Sequence, residues 1–440
     1  MEKQLETQLK GKKILFATVP LDGHFNPLTG LAKYLQEAGC DVRWYMPDVF
    51  EERLKKLNIP QYKYEKAVAI TADIIDTYGG RSEISDPIEK LNFDFITIFA
   101  ERGPEYYEDI LQINETFPFD LLIVDSFFSA TPFVKILMNK PVIAVGIVPS
   151  AEDSVDLAPF GMGLLPAKNE IERAEYAKMH DQAVNVLFKR AVDTYDELLK
   201  RYGISIEKTM LPNLLSKEAT LCLQIGSPGF DYTRSDLGEN IRFVGALLPY
   251  TSNKQNHEVW FDDRLEQYKK IVLVTEGTVE KDFTKLTEPT LEVFKDTDVL
   301  VLAATAGNGT KELREKYTSD NIIIEDFIPF NDVLPYVNVY VTNGGYGGTL
   351  LSIHNRVPMV AAGLHEGKNE ICSRIGYFNY GINLNTETPD RESIRKAVEE
   401  IMANELYKNN ITKLYHEMNS YNANELSAKY ITEVLEVSIA

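Results

Sequence analysis

The chain has 440 residues, enough for two or three ordinary domains, and 44% hydrophobic residues supply their cores. A formal charge of −20 argues against nucleic acid or an anionic membrane surface as a partner. Cys40, Cys222 and Cys372 are too few and too far apart for a disulfide framework or a zinc site, and suit buried thiols in a reducing cytoplasm.

The opening stretch MEKQLETQLKGKK is charged and lacks the apolar segment of a signal peptide. No uncharged run reaches the roughly 20 residues of a membrane span, so a soluble, cytoplasmic protein is expected. Ile14 to Val19 reads as a buried strand. Asn26 then offers a helix N-cap, Pro27 suits the first helical position and Gly39 the stop. Leu28, Leu31, Ala32 and Leu35 fall at i, i+3, i+4 and i+7, which gives that helix one apolar face. DVRWYMP follows as a second strand. Strand, helix, strand at this length is a βαβ unit and predicts a parallel sheet. Residues 120–125, 141–149 and 220–227 read as further buried strands, separated by helical, aromatic and irregular segments at 67–117 and 151–218.

A polar stretch without period marks a linker at 248–260, after a first domain at 1–247. KIVLVTEGT, VLVLAATAG, NIIIEDFIP and VYVTNGG then alternate with helical segments, giving a second parallel α/β domain at 261–420. The amphipathic end, 421–440, is expected to pack back on the first domain. In such sheets ligands bind beyond the carboxyl ends of the strands, so two doubly wound domains facing each other predict a ligand cleft between them.

Several residues with chemistry sit at those ends. In VTNGGYGGTL, Gly344, Gly345, Gly347 and Gly348 lie on the turn from a strand into a helix start. Unpaired N–H groups and the positive end of the helix dipole gather there, and bare backbone lets a phosphate approach. The spacing matches neither common nucleotide fingerprint, and a tightly packed turn remains an open reading. His24 follows the first strand and Asp125 ends the LLIVD strand. An imidazole there can take a proton near neutral pH, and a carboxylate can fix its tautomer. Backbone capping is the alternative for both. Phe327, after a strand, is a base-stacking or core aromatic, and Glu366 and Lys368 are sugar-binding or helix-capping residues. Phe93, Phe95, Phe99 and Met162 line an apolar acceptor pocket or fill core. Asp296 to Asp298 precede a strand rather than follow one, so a solvated turn is expected there, and no metal site.

Together the segments DGHFNPLTGLA, RGPEYY, SDLGENIRFVGALLPY, VTEGTVEK, IIEDFIPFNDVLPYVNVYVTNGGYGG and AGLHEGKNEI resemble the nucleotide-sugar-dependent glycosyltransferases of the two-domain GT-B fold. The likeness spans nearly the whole chain, within the family of macrolide and plant natural-product enzymes. It is nearest to a bacterial branch that glycosylates flavonoids and includes rhamnosyltransferases. The resemblance implies a metal-independent, inverting transfer of a hexose to a small hydrophobic phenolic acceptor. It gives His24 the role of base and Asp125 that of its orienting acid. It makes Phe327 a stacking residue, assigns the donor diphosphate to the turn from Gly344 to Thr349, and brings Gly277, Thr278 and Asn343 near the donor. Three positions depart from the family pattern. Asn343 replaces a frequent histidine, Leu351 stands where a ribose-binding glutamate is common, and Glu366, Gly367 and Lys368 replace the usual acid–glutamine pair. The last two make dTDP-rhamnose the expected donor, with UDP-glucose as the alternative. An NAD- or flavin-dependent oxidoreductase is disfavoured because no G-x-G-x-x-G follows the first strand. The His24 and Asp125 pair argues against a silent nucleotide-sugar-binding protein.

Overall fold

The computed structural model describes residues 3–251, 259–277, 280–365 and 367–437. The N-terminal half contributes strands β1 (Lys13–Ala17), β2 (Asp41–Tyr45), β3 (Gln61–Tyr62), β4 (Leu121–Asp125), β5 (Val142–Gly146), β6 (Leu221–Gln224) and β7 (Ile241–Phe243). They form one sheet in the order β3-β2-β1-β4-β5-β6-β7. The C-terminal half contributes β8 (Lys270–Thr275), β9 (Val299–Ala304), β10 (Ile322–Glu325), β11 (Val339–Thr342), β12 (Met359–Ala361) and β13 (Gly381–Asn383), ordered β10-β9-β8-β11-β12-β13. The pairings within both sheets are parallel. Helices cover both faces, which is why β4 and β9 are buried at every residue and read as unbroken apolar runs.

Both sheets reverse their winding once, between β1 and β4 and again between β8 and β11. At such a switch point the loops leaving two neighbouring strands diverge to opposite faces and leave a crevice. Register brings the strand ends level: Ala17 pairs with Val124, and Thr275 with Thr342.

The first long helix departs from expectation. It runs Asp22–Glu37, starting a turn before the anticipated Asn26 cap, so Pro27 lies inside it. Pro27 forgoes one backbone bond, to Gly23 four residues earlier. The start is held without Asn26: the Leu21 carbonyl accepts from the N–H groups of both His24 and Phe25, each at 3.0 Å. The Asn26 side chain instead accepts from Arg53, which also pairs with Asp22. Gly39 does end the helix, with φ of +93°.

At the chain's end, helix Ala423–Val437 packs on helices Lys3–Leu9 and Asp22–Glu37, and Gln8 Nε2 donates to Glu436 Oε1 at 2.6 Å. The C-terminal half meets the N-terminal half beyond the carboxyl end of β6. Tyr346 Oη, from the glycine-rich turn after β11, donates to the Ile225 carbonyl just beyond β6 at 2.8 Å. Tyr380 Oη donates to the Gly229 carbonyl at 2.6 Å, and the Gly229 N–H to Glu417 at 2.8 Å. Part of the expected linker, 252–258, lies outside the described residues. No described helix is long and apolar enough to cross a membrane.

Candidate active site

The early start of helix Asp22–Glu37 changes where His24 sits. It belongs to the first helical turn, beside the end of β4, rather than to a free loop. Its Nδ1 lies 2.9 Å from Asp125 Oδ1. Asp125 is fully buried, and it also accepts from the N–H groups of Phe127 at 2.9 Å and Val19 at 2.8 Å. Three donors compensate the cost of burying that carboxylate and fix its orientation. A carboxylate accepts only, so the His24 proton toward it sits on Nδ1 and the lone pair on Nε2. The His24 side chain keeps 14% of its surface exposed. A tautomer fixed in this way leaves Nε2 able to accept a proton from a hydroxyl.

Phe127 packs edge-on against His24 with centroids 5.9 Å apart, and Phe99 packs on Phe127 at 5.6 Å. Of the four aromatic and methionine residues considered for an acceptor pocket, Phe99 is thus the one linked to His24. Phe95 packs on Phe99 at 6.4 Å, both rings border a helical cluster with Tyr195, Leu199 and Leu211, and Phe93 lies under Gly79. Met162 is exposed on a loop held by the other half, through the neighbouring Gly161 and Gly163. Phe127 was not singled out by sequence, although the apolar pair after Asp125 was a usable signal.

Across the interface, Gly277 and the turn from Asn343 to Thr349 leave β8 and β11 side by side. The four turn glycines divide into two kinds. Gly344 has φ of +88°, and a Cβ there would lie 2.5 Å from Cys372 Sγ. A Cβ on Gly348 would lie 2.7 Å from Tyr340 Oη. These two are glycines for packing. Gly345 and Gly347 face open space: the nearest atom to a Cβ on Gly345 is Asn343 Oδ1 at 3.9 Å, and none lies within 4 Å at Gly347. Gly345 caps helix Tyr346–His354, so unpaired N–H groups of that first turn gather where the backbone is bare.

Asn343 spends one amide N–H on the Glu276 carbonyl, stitching the β8 and β11 loops together, and its Oδ1 lies about equally near Gly277 and Gly345. Thr349 Oγ1 donates to the Gly345 carbonyl at 2.9 Å, so it braces the turn rather than projecting from it. Phe327, just past β10, is 69% exposed, with an edge 3.8 Å from the Cβ position of Gly307. Lys368 opens helix Lys368–Tyr377, and its carbonyl and Cβ border Gly344. Thr278 and Glu366 lie outside the described residues. The Cys372 thiol behind Gly344 is pushed up to about 12 by burial, so it stays a neutral packing group.

Comparison with known proteins agrees with this architecture. The family model described as UDP-glucoronosyl and UDP-glucosyl transferase matches residues 185–419. UDP-glucosyltransferase 1 of Beauveria bassiana (strain ARSEF 2860) is 29% identical, over 91% of this chain and 91% of its own. The 4'-demethylrebeccamycin synthase of Lentzea aerocolonigenes is 28% identical, over 89% of this chain and 92% of its own. Among solved structures, the glycotransferase of kitacinnamycin has a TM-score of 0.74 at 18% identity, covering 97% of this chain and 99% of that one. The calicheamicin glycosyltransferase CalG4 has a TM-score of 0.69 at 18% identity, covering 97% and 98%. At such identity it is the GT-B fold that is shared. With more than half its length matched by the family model, this chain belongs to the UDP-glucoronosyl and UDP-glucosyl transferase family and is a nucleotide-sugar-dependent glycosyltransferase.

Proposed function

We propose that the protein transfers a hexose from a UDP-sugar to a hydroxyl of a small aromatic acceptor, with inversion at the anomeric carbon. His24 Nε2 takes the acceptor proton while Asp125 stabilises the resulting imidazolium. The oxygen attacks the anomeric carbon from the face opposite the diphosphate, and the sugar–phosphate bond breaks. The leaving diphosphate is held over Gly345 and Gly347 by N–H groups at the start of helix Tyr346–His354, and Phe327 stacks on the base. The observation that carries this reading is the His24–Asp125 bond, at the switch point of a sheet whose carboxyl edge meets Tyr346 of the glycine turn at Ile225. Curated relatives named as UDP-glucosyltransferases support the uridine donor.

One observation supports a second donor, dTDP-rhamnose. Leu351 lies four residues beyond Gly347 on the same helix face and offers no acceptor for a ribose 2′-hydroxyl. A spinosyn rhamnosyltransferase solved with thymidine diphosphate shares the fold, with a TM-score of 0.66. The test is a screen of purified enzyme with UDP-glucose and dTDP-rhamnose against flavonols and other aromatic alcohols. Products are read by mass spectrometry and their anomeric configuration by NMR. Transfer with inversion from UDP-glucose supports the first reading, and preference for dTDP-rhamnose supports the second. Retention of configuration, or no transfer to any aromatic hydroxyl, overturns the proposal.

A further inference from the structure

Helix Lys368–Tyr377 touches working loops of both halves. One side backs the glycine turn, where Cys372 Sγ and the Lys368 carbonyl close on Gly344. The other side grips residues 159–164 of the N-terminal half. Glu370 Oε1 accepts from the N–H groups of Gly161 at 2.9 Å and Gly163 at 2.8 Å. Ser373 Oγ donates to the Gly163 carbonyl at 2.6 Å, and Asn369 Nδ2 to that of Gly161. Phe160 packs its ring against Gly367.

The gripping carboxylate is itself fixed. Glu370 Oε2 accepts from Arg374 Nη1 at 2.8 Å, and Arg374 Nη2 donates to Asp231 of the N-terminal half at 2.7 Å. All three side chains are buried, with Arg374 1% exposed, so the bonds act in a low-dielectric setting. Within the gripped loop the Met162 N–H donates to the Pro159 carbonyl at 3.3 Å. Gly161 and Gly163 take φ of +95° and +63°, and nothing lies within 4 Å of a Cβ on Gly161. Met162, between them, is 46% exposed. A helix of the other half thus holds this N-terminal loop by four hydrogen bonds.

We infer that Glu370 is a positioning residue for the acceptor: it fixes loop 159–164 as a wall of the acceptor pocket and couples that wall to the helix behind the diphosphate turn. The inference rests on the proposed transferase reading, so its test includes a readout that needs no turnover. In the full-length enzyme, hydrogen exchange is followed over residues 158–166, alongside acceptor KM, kcat and UDP affinity by calorimetry. In Glu370→Ala, exchange at this loop should rise roughly tenfold and acceptor KM by a similar factor, with UDP affinity within about twofold of the parent. Glu370→Gln keeps one oxygen for the two glycine N–H groups but turns an amide NH2 toward Arg374, so it should recover only part of both effects. Ser373→Ala removes one loop bond without disturbing the ion pairs, and should move both readouts the same way by a smaller factor. It decides the question if Glu370→Ala does not fold. Unchanged exchange and KM in a folded Glu370→Ala overturn the inference, as does a KM effect matched by an equal loss of UDP affinity. If the parent transfers no sugar, the functional reading fails while the exchange arm still tests the grip.

Discussion

At the β1/β4 edge the proposed working group is a side chain, and the structure immobilises it. Asp125 is buried and accepts from three donors, His24 among them. At the β8/β11 edge the proposed working surface is the absence of side chains, with Gly277, Gly345 and Gly347 leaving bare backbone beside the buried Asn343. The contrast follows from what each edge is proposed to do. Moving a proton needs one titratable atom in one orientation, so the fold spends buried hydrogen bonds to fix it. Holding a diphosphate needs many weak donors spread over a bulky anion, which bare backbone at a helix start supplies.

The largest expected effect breaks the first edge. His24→Ala should lower turnover by about 10²–10⁴-fold while UDP affinity by calorimetry stays near the parent value. Turnover within two- to threefold of the parent would make His24 only part of a helix start. Asp125→Asn should also slow turnover, and it places an amide NH2 against one of three buried donors. That costs about 1–3 kcal/mol, read as a lower melting temperature. Unchanged rate and stability together would remove Asp125 from the argument.

The second edge can be split within a single turn. Gly345 has φ of −64°, which any residue adopts, and an open Cβ direction. Gly345→Val should therefore fold normally yet weaken UDP binding by roughly tenfold or more, about 1.4 kcal/mol. Gly344→Ala should do the reverse, because its φ of +88° and its contact with Cys372 strain the fold. A melting temperature lowered in Gly344→Ala and preserved in Gly345→Val is the expected pattern. Normal UDP affinity in folded Gly345→Val returns the whole turn to packing. Phe327 gives a smaller effect. Its ring is mostly exposed, so Phe327→Ala should cost little stability but weaken UDP binding roughly tenfold through lost stacking. Unaltered affinity would make it an ordinary surface ring.

The sheets were legible because strands buried on both faces are continuous apolar runs, as in LLIVD and VLVLAA. Three strands were not: Gln61–Tyr62, Ile241–Phe243 and Gly381–Asn383 lie at or near sheet edges and are too short to carry a pattern. The helix at Asp22 was placed late because Asn-Pro reads as a cap and first position. Contacts made by Arg53 and Leu21, invisible to local pattern, outweigh that signal. His24 and Asp125 were legible from their places after strands, yet their contact spans 101 positions. The bonds from Gly161 and Gly163 to Glu370 span over 200 and have no local signature.

The smallest effect concerns the donor. Leu351 shares a helix face with open Gly347 and is partly buried against the core. With the diphosphate over Gly345 and Gly347 as proposed, the adjoining sugar of the nucleotide would lie about one helical turn along, beside Leu351. A ribose 2′-hydroxyl there meets apolar carbon, whereas a deoxyribose has no hydroxyl to satisfy. In Leu351→Glu the carboxylate would accept from that hydroxyl. A net hydrogen bond of about 0.5–1.5 kcal/mol corresponds to a shift of roughly two- to tenfold towards UDP-glucose over dTDP-rhamnose. Introducing a charge beside the core will also lower stability. The quantity to measure is therefore the ratio of kcat/KM for the two donors in one preparation, with one flavonol as acceptor. Loss of active enzyme cancels in that ratio. A ratio equal to the parent's would place the ribose away from Leu351 and leave donor choice to the sugar-facing residues.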